Sequence, residues 1–186
     1  MTTIDGPPLR ILTVCTHNRT RSVMMAAMLE SMLGERLGTD EVQVRSGGFG
    51  PEGLPAIADA VEAMRRRGLD VSGHRSAPTT AALVNDADLV LTAEREHVVK
   101  IASLSPAAFR RTMTLPEFLA AAALAPIDRE TADIRSWVQS LTEGRTASAY
   151  LRGPVPEVAD PTGSLPRVFE RAVLDIEQQC RDVGVR

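Results

Sequence analysis

The chain predicts an α/β fold: one domain, with a small parallel sheet of about four strands and helices on both of its faces. Three observations carry this. Short apolar runs alternate with longer segments of helical periodicity from about residue 9 to the end. Strands separated by helices pair in parallel through right-handed crossovers. The length of 186 residues suits one domain with a sizeable core and falls short of two.

The elements follow in order. Ile11, Leu12 and Val14 mark a first strand over about 9–14. A methionine- and alanine-rich helix runs over about 22–37, with Ser22 as its expected N-cap. Residues 41–46 alternate with period two and read as a second strand; a glycine-rich loop, 47–53, follows. A second helix is expected over about 55–67 with Gly68 as its stop. Residues 87–92 make a third strand and about 94–102 a third helix. A short fourth strand is expected at 109–113, then helices at about 115–125 and 133–141. Residues 145–158, with Pro154 and Pro156, read as loop, and 165–183 as a long last helix. Residues 1–8 form a lead-in, and 9–186 the single domain.

Composition excludes several function classes. A net charge of −3 argues against a general nucleic-acid binder. Aromatic residues at 3% argue against base stacking and carbohydrate platforms. The two cysteines, Cys15 and Cys180, lie far apart, so no disulfide framework is expected; this usage fits a reducing, cytoplasmic setting. No segment reads as a secretory signal or a membrane span. Nothing in the chain has the spacing of a metal site, and Gly47-Gly48-Phe49-Gly50 lacks the lysine of a nucleotide-binding loop.

The chemistry concentrates at the end of the first strand, in Cys15-Thr16-His17-Asn18-Arg19-Thr20-Arg21-Ser22. Cys15 sits where a strand gives way to a helix start. Free backbone N–H groups there bind anions and favour a thiolate. Arg21 adds a planar fork of donors on a loop that curls back toward the sulfur. A thiolate, amide donors and a guanidinium together make an oxyanion-binding nucleophile site. In parallel sheets such sites lie beyond the carboxyl ends of the strands, where Cys15, the loop after Ser46 and the segment after Thr92 all fall.

This segment resembles the signature loop of the low-molecular-weight protein tyrosine phosphatases: Cys, five residues, Arg, Ser at the end of the first strand. The related arsenate reductases use the same loop. The resemblance covers about 9–116 and 155–184, with 117–154 as an insertion. It implies that Cys15 is the nucleophile and that Thr16 to Ser22 bind phosphate, with Arg21 gripping its oxygens. Asp160, in Asp160-Pro161 before the last helix, would be the general acid; taken alone, that pair is a common turn. Asn18, Ser46 and His74 would hold the loop in shape, and Ser22 would hydrogen-bond the thiolate. Phosphorylated proteins or small aryl phosphates would be the substrates. No cofactor or metal is implied, because amides and Arg21 supply the positive field.

Four positions depart from the family pattern. His17 replaces a usual glycine, Arg19 a small or apolar wall residue, Thr20 a frequent second cysteine, and Thr162 a usual tyrosine. Phe49 remains as an aromatic candidate for the substrate mouth. The reading is therefore a tyrosine phosphatase working through a phosphocysteine. Two alternatives stand: an arsenate reductase with a small-thiol partner, or a phosphoprotein-binding module without turnover. Oligomeric state is open.

Overall fold

A computed structural model describes residues 7–125 and 134–185. Most of the expected lead-in and the expected helix start at Asp133 lie outside these residues. The described elements are β1 (Leu9–Cys15), α1 (Arg21–Leu37), β2 (Val42–Gly48), α2 (Ala58–Arg65), α3 (Ala81–Asp86), β3 (Leu89–Thr92), α4 (Arg95–Leu104), a 3-10 turn (Pro106–Arg111), β4 (Thr112–Thr114), α5 (Leu115–Leu124), α6 (Ile134–Ser140), α7 (Ala147–Arg152) and α8 (Pro166–Val185).

The four strands form one sheet in the order β2-β1-β3-β4, and every pairing is parallel. Strand order changes direction at β1: β2 lies on one side and β3 on the other. A crevice opens at the carboxyl end of such a switch point. Register aligns Cys15 with Gly48 and Val14 with Thr92, so three loops meet at that edge.

Alternation along the strands divides the core. Leu9, Ile11, Leu89 and Leu91 pack with Met24, Met25, Met28 and Leu29 of α1 and with Val173, Ile176 and Cys180 of α8. Leu12, Val14 and Val90 pack on the opposite face with Val84, Ile101 and Ala108. Each such buried side chain contributes about 1.5–3 kcal/mol relative to exposure. Burial pushes the Cys180 thiol well above its ordinary range, as suits a packing residue. No helix among the described residues is long and apolar enough to cross a membrane.

Several expectations need correction. Ser22 is not the N-cap of α1: the helix begins at Arg21, Thr20 holds the cap position, and no side chain bonds there. The Ser22 hydroxyl is engaged by Cys15 and Asn18 instead. The second helix starts at Ala58, because Ile57 first donates its N–H to the carbonyl of Arg19 in the loop. The fourth strand is confined to Thr112–Thr114, since the preceding residues wind into the 3-10 turn. Two six-residue helices were not expected, α3 and α7. Each is started by a threonine, Thr80 or Thr146, whose hydroxyl accepts from an N–H three residues on. The segment 145–158 is thus partly helical.

The region 117–154 is tied to the rest. Phe118 of α5 is buried in the main core and meets Trp137 of α6 edge-on at 5.8 Å. Arg95, at the start of α4, donates to the carbonyls of Tyr150, Leu151 and Gly153 and so closes the end of α7.

Candidate active site

β1 carries Cys15 to the carboxyl edge of the sheet, and α1 begins six residues later. Four carbonyls of the intervening loop are engaged from outside it. Phe49 N–H donates to Thr16 O at 2.8 Å, Ile57 N–H to Arg19 O at 3.0 Å and Met24 N–H to Thr20 O at 3.0 Å. His74 Nε2 donates to Asn18 O at 2.7 Å. No peptide bond among the described residues is cis. In a trans peptide the next N–H points away from the carbonyl. Outward carbonyls at 16, 18, 19 and 20 therefore turn the N–H groups of His17, Arg19, Thr20 and Arg21 toward the inside of the loop. Such a concavity at a helix start has the geometry to take an anion.

Asn18 makes the loop possible. It alone among described non-glycine residues has positive φ, at 52°, a conformation asparagine tolerates better than most. Its buried amide donates to Ser22 Oγ at 3.0 Å and Ser46 Oγ at 2.9 Å, and accepts from Ala77 N–H at 2.9 Å. Ser46 and His74 thus reach the same residue by different routes, one through the side chain and one through the carbonyl. Ala77 is a third contact that the sequence did not single out. The end of β2 must also pass close: a Cβ on Gly48 would stand 2.7 Å from Asn18 N.

Ser22 Oγ lies 3.1 Å from Cys15 Sγ. Because it accepts from Asn18, its own hydrogen is left for the sulfur. Ser22 is itself held, since Thr13 Oγ1 donates to its carbonyl at 2.7 Å.

Arg21 is buried, its side chain only 3% exposed. Such a cation needs partners. Nη1 donates to Glu94 and, at 3.1 Å, to Val158 O; Nη2 donates to Asp160 Oδ2 at 2.9 Å. Asp160 Oδ1 accepts from Thr162 N–H at 3.0 Å. Glu94 was missed from the sequence. Its signal was its position directly beyond β3, on the edge already marked for the site.

The residues that depart from the family pattern occupy the rim. Exposed His17 lies over Gly50, where a Cβ would come 2.8 Å from its ring. Arg19 is not free to sweep the opening: its Nε donates to Pro55 O at 2.8 Å. Thr162 Oγ1 donates to Thr20 Oγ1 at 3.3 Å, so the two threonines meet each other. Phe49 is half-buried; its ring stacks on His97 at 6.0 Å and 18°, with Lys100 Nζ 5.2 Å from its centroid.

His97 was also missed. Its side chain is 1% exposed. Nδ1 accepts from Glu94 N–H at 3.1 Å, and Nε2 lies 3.1 Å from Thr16 Oγ1. Burial pushes the ring down to about 4, with Arg21 and Lys100 acting in the same direction and Glu94 against it. The only hint in the sequence was an acidic residue and a histidine three apart at a helix start, the spacing of a capping box.

Comparison with known proteins follows this geometry. The family model described as low molecular weight phosphotyrosine protein phosphatase matches residues 10–133. A probable low molecular weight protein-tyrosine-phosphatase, EpsP of Ralstonia nicotianae, is 40% identical over 98 residues, 52% of this chain and 63% of the relative. The matched stretch thus spans less than two thirds of that relative's length. A protein-arginine-phosphatase of Bacillus subtilis is 37% identical over 110 residues, 59% of this chain and 71% of the relative. Among solved structures, the YwlE arginine phosphatase from Geobacillus stearothermophilus superposes with a TM-score of 0.70 at 27% identity, covering 96% of this chain and 92% of that one.

Proposed function

Because this chain belongs to the low molecular weight phosphotyrosine protein phosphatase family, we propose that it hydrolyses phosphotyrosine or related aryl phosphate monoesters through a phosphocysteine. The observation that carries this reading is the ion pair between Arg21 and Asp160, 139 residues apart in sequence. It sets an acid candidate at the rim of the loop that begins with Cys15.

The geometry supports the following roles. Cys15 thiolate attacks phosphorus, an S–P bond forms, and the bond to the leaving oxygen breaks. The inward N–H groups and Arg21 hold the three equatorial oxygens, whose charge has to be stabilised. Phosphate takes the place of Asp160 on Nη2, and the released carboxyl, in its protonated form, gives its proton to the leaving oxygen. In the second step water attacks phosphorus and passes a proton to Asp160. The S–P bond breaks, and Ser22 Oγ–H steadies the departing thiolate. Orthophosphate and the starting enzyme result. Asn18, Ser46 and His74 keep the loop in its open-handed shape throughout.

We place Thr162 and Phe49 at the edge of the substrate mouth, and read residues 117–154 as an insertion within one domain. Two thiols and no disulfide support a cytoplasmic setting, with phosphorylated protein or small aryl phosphate as partner. The test is steady-state hydrolysis of a generic aryl phosphate, with acid quench to trap phosphocysteine on the peptide containing Cys15. Turnover with a trapped Cys15 adduct supports the reading. Thiol-dependent arsenate reduction without phosphatase activity would transfer the site to the reductase branch.

A further inference from the structure

The buried ring of His97 has no place in the mechanism above, yet it touches the loop beside the nucleophile. Its tautomer is fixed by its neighbours. Nδ1 accepts the N–H of Glu94, so the proton resides on Nε2, and Nε2–H donates to Thr16 Oγ1. Thr16 directly follows Cys15. Its carbonyl is held by Phe49 N–H, and the Phe49 ring stacks on His97. The donor to Nδ1 comes from Glu94, the residue whose carboxylate also grips Arg21. One imidazole therefore links the first residue of the phosphate loop, the ring beside it and the partner of the phosphate-binding guanidinium.

Resting on the phosphatase reading, we propose that His97 is a positioning residue for phosphoryl transfer: its Nε2–H orients Thr16, and so the first peptide of the loop, against Cys15. A helix-capping role alone would need only Nδ1. The charged groups facing the ring are Glu94, Arg21, Lys100 and Glu96. Burial outweighs the two carboxylates and, with Arg21 and Lys100, leaves the ring neutral at working pH, which the Nδ1 acceptor role requires.

Two substitutions separate the functions of the two nitrogens. In His97→Asn the side-chain oxygen can replace Nδ1 as acceptor, but the reach to Thr16 is lost. In His97→Gln the amide nitrogen can replace Nε2 as donor to Thr16. Loss of one hydrogen bond acting in the transition state costs roughly five- to tenfold in rate. The expected results are a drop of that size in kcat for His97→Asn with KM little changed, and recovery to within about threefold in His97→Gln. Thr16→Val should match His97→Asn, and the double variant should be no worse than either. Nitrogen-15 spectra of the unaltered protein should show the neutral Nε2–H tautomer throughout pH 5–8.

Losses that multiply in the double variant, or His97→Gln as impaired as His97→Asn, would overturn the proposal while leaving the phosphatase reading standing. So would an Nδ1–H tautomer or a ring that titrates within pH 5–8, and these readouts need no variant to fold. Absence of turnover in the unaltered chain would overturn the phosphatase reading and this inference together.

Discussion

Asp160 Oδ2 accepts from Arg21 Nη2 at 2.9 Å while the other oxygen of the same carboxylate accepts from Thr162 N–H at 3.0 Å. Both oxygens are occupied, and the Arg21 contact engages the guanidinium proposed to hold phosphate. On the reading proposed above, phosphate and Asp160 share one guanidinium, and a phosphate oxygen arriving at Nη2 meets the Asp160 carboxylate there.

Asp160→Ala should slow substrates with poor leaving groups by about 10²–10⁴-fold and those with good leaving groups far less. Inorganic phosphate should bind the variant more tightly, since a competitor has gone. The checks are a leaving-group series and phosphate inhibition constants. Equal losses along the series would reduce Asp160 to a turn residue before α8.

Cys15→Ser should abolish turnover, because an unactivated hydroxyl is a poor nucleophile beside a thiolate. Phosphate or vanadate binding should persist, since the amides and Arg21 are untouched. Calorimetry or ligand-induced shifts in Tm would read this. Substantial phosphatase activity in Cys15→Ser would refute the mechanism.

Asn18→Ala leaves the Ala77 N–H without its partner, Ser22 and Ser46 without their donor, and a Cβ residue at positive φ. The expected loss is on the order of 3 kcal/mol in urea unfolding. Ser46→Ala removes one acceptor and should cost about 1 kcal/mol. Both should lower kcat by more than their effect on KM. Wild-type kcat in a folded Asn18→Ala protein would show that loop shape is held elsewhere.

His97 binds a proton less readily in the folded chain than in the unfolded one, at about 4 against an ordinary 6.5. Between those values the unfolded chain holds more protons, so stability rises with pH. The contribution is complete above about 6.5 and is lost as pH falls toward 4. At full size it is on the order of 3 kcal/mol. His97→Gln should flatten the stability curve over that window in urea titrations. An unchanged slope would place the proton uptake on other groups.

Arg19 puts a positive charge at the rim, at a position where the resembled phosphatases usually have a small or apolar residue. We expect acidic neighbours of the phosphorylated residue to raise kcat/KM, with the gain shrinking as salt rises. Arg19→Ala should reduce that gain by severalfold. A phosphopeptide panel at two ionic strengths, with phosphoarginine peptides as a comparison arm, decides it. A salt-independent preference unaltered by Arg19→Ala would remove Arg19 from substrate choice.

The main architecture was readable because it depends on local signals. Ile11, Leu12 and Val14 end in Cys15, and glycines punctuate the strands, so the sheet and the position of the loop follow from periodicity. That Cys15 to Ser22 forms the turn from a strand into a helix was readable from the apolar run before it and the helical periodicity after it. What escaped has physical reasons. Helices α3 and α7 have six residues each, too few turns to display a period, and exist through threonine caps and tertiary packing. Ser22 has the chemistry of an N-cap, but Cys15 and Asn18 compete for its hydroxyl. Glu94 and His97 act through partners 73 and 81 residues away, and no local pattern encodes such pairings.

Arg21 takes its three acceptors from residues 73, 137 and 139 positions further along the chain. Long loops must close before those contacts form, and closure entropy makes such contacts late to form in folding. The phosphate loop can acquire its outline from β1, β2 and α1, but the guanidinium is seated only when the segment leading into α8 has docked. Oxyanion affinity should therefore report on completion of the whole fold. During refolding it should appear with the final native signal and not with the first helical structure, and an amino-terminal fragment ending before Val158 should carry the signature loop without its grip.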